Sequence, residues 1–173
     1  MSEKIYLIDS NVLITPYQQF YSFDLAKPFW DQILTHIENG DIAILDLVKE
    51  ELQNGNEDDQ LKLWIESANI GNFIDRREPD ILNEYAAVLQ YIQECGYYND
   101  TALNRWAQLT IADPWLIAAA KAKRMVLVTQ ETNFHRLDIK NQTKNIRIPD
   151  VAKAFNVEIM TLFDMMRELG IHL

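Results

Sequence analysis

Four acidic side chains adjoin predicted strands or the helices next to them. Asp9 directly follows a short apolar run, and Glu51 lies on the helix predicted after a second apolar run. Asp113 begins a predicted helix that leads into a third strand, and Glu131 follows Thr129 at the end of that strand. Because ligands of open parallel α/β sheets bind beyond the carboxyl ends of the strands, we expect these acids to meet at one edge of a sheet.

Converging carboxylates repel one another, and without a counter-ion some of them stay protonated at neutral pH. A divalent cation removes that conflict, and an all-oxygen ligand set favours Mg²⁺ or Mn²⁺ over Zn²⁺. Such an ion lowers the pKa of a bound water and holds a phosphate oxygen, which suits phosphodiester hydrolysis. The predicted ligands are Asp9, Glu51, Asp113 and Glu131.

Each of these acids also has a simpler role open to it. Asp9 would cap a following helix. Asp113 before Pro114 would cap another, because Asp is a good N-cap and Pro suits the first helical position. Glu51 and Glu131 would be solvated surface acids.

The elements that must position these residues alternate along the chain. Apolar runs predict strands at 4–9, 42–45, 125–129, 146–148 and 157–159. Helical periodicity predicts helices at 25–39, 47–55, 58–68, 80–95, 113–123 and 161–169. This alternation indicates an α/β protein with a parallel sheet covered on both faces. There is no repeat or Pro/Gly-rich linker, so we expect a single domain over residues 1–173.

The composition is that of a folded soluble protein, with 48% hydrophobic and 24% charged residues in a chain of 173. No signal sequence or apolar run of about 20 residues is present, which predicts no membrane association and a cytoplasmic location. The single cysteine, Cys95, agrees with a reducing compartment.

The charge is unevenly distributed. The net charge of −10 argues against simple electrostatic capture of nucleic acid. Residues 1–100 hold 6 Lys and Arg against 19 Asp and Glu, whereas residues 101–173 hold 10 against 7. The second half can therefore carry a basic patch, although a merely solvated positive face is the alternative.

Four short motifs, in order, resemble those of PIN domains. The first is IDSNVL at 8–13, in which Asp, a hydroxyl residue and Asn follow an apolar strand. The second is VKEEL at 48–52, the third is IADPWLIAAA at 111–120, and the fourth is VTQETNF at 128–134. No single motif is specific, but the four together cover roughly residues 4–160 with the family's order and spacing.

The resemblance implies a Rossmann-like three-layer α/β/α sandwich, with a central, mostly parallel sheet of four to five strands. It also implies a ribonuclease that depends on Mg²⁺ or Mn²⁺. Small free-standing members of the family are often toxins of bacterial toxin–antitoxin pairs and form homodimers. We therefore expect an RNA substrate, an antitoxin protein and a second copy of the chain as partners.

The resemblance also suggests supporting roles. Ser10 and Thr129 would hydrogen-bond the carboxylates or the phosphate. Asn11 would contact the metal-binding residues and not the ion itself. Candidates for contact with the RNA backbone are Lys121, Lys123 and Arg124, with helix-end cations favoured by the helix dipole as the alternative.

Two departures from the family pattern leave alternatives open. Glu131 stands where the family usually has Asp, so Asn133 is a second candidate there, and the number of metal ions is open. Successive helical residues point about 100° apart, so only one of Glu50 and Glu51 can face the site. Glu51 fits the motif better because Leu52 follows it.

Other interpretations remain. Tyr17, Phe20, Tyr21 and Phe23 would stack bases or form a core or dimer contact. A phosphatase of the haloacid-dehalogenase type would need Asp at position 11, where this chain has Asn11. A catalytically weak PIN-like module that binds a protein or RNA is the alternative outside enzymology.

Overall fold

A parallel β-sheet forms the centre of the protein. The computed structural model describes residues 4–56, 59–68 and 73–173, and in that part the sheet has four strands. The strands are β1 (Tyr6–Ile8), β2 (Ile42–Ala43), β3 (Val126–Val128) and β4 (Ile159–Met160). Their order is β2-β1-β3-β4, with Leu7 opposite both Ala43 and Leu127.

Helices cover both faces of this sheet. Every residue of β1 and β3 is buried, and since successive strand residues point to opposite faces, neither face is open to solvent. The expected three-layer α/β/α fold is therefore confirmed. The helices are α1 (Asn11–Gln19), α2 (Lys27–Asn39), α3 (Asp46–Gln53), α4 (Gln60–Ser67), α5 (Pro79–Glu94), α6 (Asp100–Trp106), α7 (Ala112–Lys123), α8 (Ile148–Ala154) and α9 (Leu162–Leu169).

Several helices lie where the apolar periodicity placed them. The core face of α5 is formed by Ile81, Tyr85, Val88 and Ile92, all spaced by three or four residues. The helix α2 ends at Gly40, whose φ of +87° is the left-handed conformation that glycine adopts at little cost. The helix expected at 58–68 is observed as α4, and residue 58 lies outside the described part.

Two expectations were wrong. Residues 146–148 form no strand, because Ile148 begins α8 and Pro149 occupies its first turn, where proline's fixed φ and missing N–H are tolerated. Asp113 is not the N-cap of α7, since the helix begins at Ala112 and the N-cap is Ile111. The helices α1, α6 and α8 were not anticipated.

The order of the strands creates a crevice. The chain passes from β1 to β2 on one side, and then crosses over so that β3 pairs with the other side of β1. The carboxyl ends of β1 and β3 thus flank the topological switch point, where open α/β sheets bind ligands. In the part of the chain that is described, no helix is long and apolar enough to cross a membrane.

Candidate functional site

Asp9 lies at the switch point and is held in place by both neighbouring strand ends. Its backbone N–H donates to the carbonyl of Val128 at 2.9 Å, and its side chain is almost fully buried. Thr129 donates its hydroxyl to Asp9 Oδ2 at 3.1 Å, and Ser10 donates to Oδ1 at 3.4 Å. The roles expected for Thr129 and Ser10 as partners of a carboxylate therefore match their positions.

Burial raises the pKa of Asp9, because the carboxylate has lost most of its hydration. The hydrogen bonds from Thr129 and Ser10 oppose this shift, since they stabilise the charged form. Asp9 is thus an oriented acid whose charge is only partly compensated by the protein.

Asp113 lies in the first turn of α7 and faces the same crevice. Burial, followed by repulsion from Asp9, Glu131 and Glu51, raises the pKa of Asp113 to about 7. Arg105 on α6 lowers that pKa, so its cation lies near enough to act on Asp113. Arg105 was not identified from the sequence, because its proximity depends on how α6 packs.

Glu51 and Glu50 differ in environment. Glu51 is half-buried, and its pKa is raised by burial first and also by the charge of Asp9, while the nearby Ser10 hydroxyl lowers it. Glu50 is exposed and lies 3.6 Å from Arg76 in an ion pair. Of the two, Glu51 is the residue that interacts with the buried acids.

Glu131 joins the site from the end of β3. Its backbone N–H donates to Thr129 Oγ1 at 3.1 Å, and its carboxylate accepts from the backbone N–H of Ile148 at 3.0 Å, at the start of α8. Asn133 is exposed, and its carbonyl accepts from Arg147. Asn133 is not part of the cavity wall that Glu131 forms.

A cavity of about 410 Å³ opens at this point and will be called the acidic cavity. It is lined by Asp9, Asn11, Thr15, Asp113, Gln130, Glu131 and Ile148. Sequence reasoning missed Thr15 and Gln130. Thr15 lies four residues after Asn11 on α1, so the helical spacing would have indicated it had α1 been predicted.

The basic residues suggested for RNA contact lie elsewhere. The helix α7 runs from the carboxyl edge of the sheet, where Asp113 lies, to the amino edge. Its 12 residues span about 18 Å. Lys121, Lys123 and Arg124 are at the far end, where Lys123 pairs with Glu78 and Asp80.

A larger cavity, about 840 Å³, lies at that amino edge of the sheet. Its wall combines three cations with three acids, so its charge is balanced. These residues are Lys4, Lys121, Arg124, Asp80, Glu84 and Glu158. The smaller acidic cavity is the better candidate site, because its acids are buried or half-buried and their negative charge is only partly compensated.

The donor chemistry of the acidic cavity fits a hard divalent cation. Its acids provide oxygen ligands alone, and mutual repulsion raises the pKa of Asp113, which a cation would relieve. Among residues 4–56, 59–68 and 73–173, no three Asp, Glu, His or Cys side chains already stand at the separations that hold one metal ion. Holding one ion with three of these acids therefore requires side-chain movement.

Comparison with known proteins identifies the family of the chain and no function. No curated protein and no solved structure is significantly similar to it. One family model, described as "Domain of unknown function (DUF4411)", matches residues 6–173, which is nearly the whole chain. The protein therefore belongs to the DUF4411 family.

Proposed function

We propose that the protein is a Mg²⁺- or Mn²⁺-dependent ribonuclease that hydrolyses phosphodiester bonds at the acidic cavity. The observation that carries this proposal is that Asp9, Asp113 and Glu131, which are far apart in the sequence, line one cavity at the topological switch point. The resemblance of the four motifs to PIN domains points to the same chemistry.

Each residue has a distinct role in this proposal. Asp9, Glu51 and Asp113 hold the ion directly or through water, and Glu131 binds through water or holds a second ion. A divalent ion at this place lowers the pKa of a water and offsets charge on a phosphate oxygen. Thr129 and Ser10 keep the Asp9 carboxylate oriented through their hydrogen bonds.

Cleavage of single-stranded RNA in Mg²⁺ or Mn²⁺ tests the proposal. We expect Asp9→Asn and Asp113→Asn to lower the cleavage rate about 100-fold or more, since each removes a negative charge that holds the cation. Glu51→Gln should also lose activity. Glu50→Gln is the matched control, because it changes the adjacent, exposed acid. Equal cleavage by all these proteins would refute the assignment.

The two other interpretations predict different results. A PIN-like binding module does not require a cation, whereas the ribonuclease should bind Mn²⁺ in calorimetric titration and lose that binding in Asp9→Ala. A phosphatase would release phosphate from a monoester and leave the internal bonds of RNA intact.

The biological setting follows from the resemblance alone. We propose that the protein is the toxin of a type II toxin–antitoxin pair, acts as a homodimer and is neutralised by an antitoxin protein. Expression of the wild type should arrest growth, Asp9→Asn should not, and co-expression of the neighbouring reading frame should restore growth. Sedimentation tests the dimer. Growth unaffected by the wild type would contradict the toxin role.

A further inference from the structure

A second cavity, largely apolar, borders the acidic cavity. It measures about 240 Å³, and its wall includes three aromatic rings together with Pro16 and Leu162. The rings belong to Phe20, Tyr21 and Phe163. We call this cavity the aromatic hollow.

The two cavities share part of their walls. Gln130 lines both of them. On α1, Thr15 faces the acidic cavity and the next residue, Pro16, faces the aromatic hollow. After β3, Glu131 lines the acidic cavity and Thr132 lines the aromatic hollow. The two cavities therefore adjoin at Gln130, so that one ligand can contact both.

Two of the three rings at the hollow are largely exposed, whereas Tyr21 is half-buried and packs against Phe29. Phe20 is 68% exposed and Phe163 is 52% exposed. By contrast, Phe23 stacks on Trp30 with 4.3 Å between ring centroids, and Tyr17 packs edge-on against both. Of the four aromatic residues singled out in the sequence, Tyr17, Tyr21 and Phe23 pack against the core, and Phe20 is exposed.

We propose that the aromatic hollow binds an unpaired base of a nucleotide whose phosphate lies in the acidic cavity. This inference rests on the proposed function. A nucleotide joins a charged phosphate to a flat, aromatic base through one sugar. The acidic cavity would hold the phosphate through a bound cation, and the aromatic hollow offers rings on which the face of the base can stack. Bases within a duplex are stacked and inaccessible, whereas unpaired bases stack on aromatic side chains.

Stacking would supplement the weak electrostatic attraction between this acidic protein and the RNA backbone. With a net charge of −10, the chain gains little from attraction to the RNA backbone. Lys121, Lys123 and Arg124 lie at the opposite edge of the sheet from the acidic cavity. Stacking contributes affinity without positive charge and without strong sequence preference.

Fluorescence anisotropy with short RNA probes tests the proposal. Ca²⁺ replaces Mg²⁺, since it takes the same oxygen ligands. The probes are a single-stranded oligonucleotide, an abasic oligonucleotide of equal length, and the first probe annealed to its complement. We expect the wild type to favour the single-stranded probe, and Phe20→Ala and Phe163→Ala to weaken that binding about 5- to 100-fold.

The variants should leave binding of the abasic and duplex probes unchanged. Phe20→Trp, unlike Phe20→Ala, should keep the preference for the single-stranded probe, because indole also stacks on bases. Phe134→Ala is the matched control, since Phe134 is 54% exposed but lines neither of these two cavities. Unaltered melting temperatures would show that the variants fold.

The outcomes separate this inference from the proposed function. If RNA is cut in an Asp9-dependent manner but Phe20→Ala and Phe163→Ala bind every probe like the wild type, the stacking site alone is refuted. If the wild type neither binds nor cuts RNA, both proposals fail. If the variants change only the sedimentation of the protein, the hollow is an interface between copies and the stacking site is refuted.

Discussion

Asp113 is a half-buried acid whose negative charge opposes folding. Burial and the neighbouring acids raise its pKa to about 7, so ionising it in the folded protein costs free energy. Residues that destabilise the fold in this way are common at functional sites, because the arrangement needed for activity is often not the most stable one. The same raised pKa makes cation binding at this residue compete with protons.

We expect Asp113→Asn to stabilise the cation-free protein at pH 8 and not at pH 4. The pKa of Asp113 is raised above its unfolded value of 3.8, so the folded state retains the proton more tightly. The contribution of this residue to the free energy of unfolding therefore falls as the pH rises from about 4 to about 7. The gain in Asp113→Asn at pH 8 should be roughly 1–4 kcal/mol, at 1.36 kcal/mol per pKa unit.

Urea unfolding in a chelator at several pH values measures this difference. Glu38→Gln, an exposed acid on α2, should follow the wild type throughout. A constant difference between Asp113→Asn and wild type from pH 4 to pH 8 would contradict the raised pKa.

At the scale of elements, the segment between β3 and α8 carries Gln130 and Glu131 but contains little regular structure. Backbone contacts at separate points connect this segment to the rest of the protein. The backbone N–H of His135 donates to both carboxylate oxygens of Asp150, at 3.1 and 3.3 Å, and Thr143 forms a parallel bridge with Tyr98. Asp150 lies in the first turn of α8 and is only 7% exposed. Its contact with His135 therefore connects the segment to the start of that helix.

Asp150→Ala should loosen this segment. Loss of the carboxylate leaves the His135 N–H without its acceptor, and we expect the free energy of unfolding to fall by about 1–3 kcal/mol. Hydrogen exchange at His135 should accelerate. Lys140→Ala, at an exposed residue of the same segment, should change stability by less than about 0.5 kcal/mol. Equal effects of the two variants would show that Asp150 does not anchor the segment.

The turn from α2 into β2 depends on Gly40. Its φ of +87° lies in the left-handed region, and a Cβ there would meet no atom within 4 Å. Gly40→Ala should therefore cost about 1–2 kcal/mol through backbone strain alone, and Gly40→Asn should cost less, since Asn tolerates this conformation. Thermal unfolding of the two variants measures the difference. An alanine variant as stable as wild type would refute the strain.

For the whole molecule, the acidic cavity is assembled from α1, α7, the start of α8 and the segments that follow β1 and β3. A cation bound there contacts segments that separate on unfolding, so it stabilises the fold by mass action. Stability, pH and cation concentration should consequently be linked in this protein.

Mn²⁺ at about 100 times its dissociation constant should add about 2.7 kcal/mol to the stability of the wild type. For a chain of this size, that corresponds to a rise of roughly 5–10 °C in Tm. The rise should be larger at pH 8 than at pH 6, because Asp113 must lose its proton to bind. Glu50→Gln should keep the rise and Asp9→Asn should lose it. A Tm independent of Mn²⁺ would count against the cation site.

Much of the fold was predictable from local patterns in the sequence. The apolar periodicity located α2, α5 and β3 because each element must bury one side or the whole of its surface. The same patterns placed Asp9 and Glu131 just beyond strand ends. Local patterns failed at residues 146–148, where two β-branched isoleucines suggested a strand but Pro149 favours the first turn of a helix.

Only the tertiary structure decided how the strands are ordered, and with that where the residues of the site meet. Strand pairing joins segments more than 100 residues apart, such as β1 and β3, and no short window of sequence contains that contact. The pairing places Thr129 against Asp9. The packing of α7 places Asp113 near them and Lys121 at the opposite edge of the sheet. Side-chain chemistry and spacing are local properties of the chain, whereas the proximity of distant groups depends on how the elements pack.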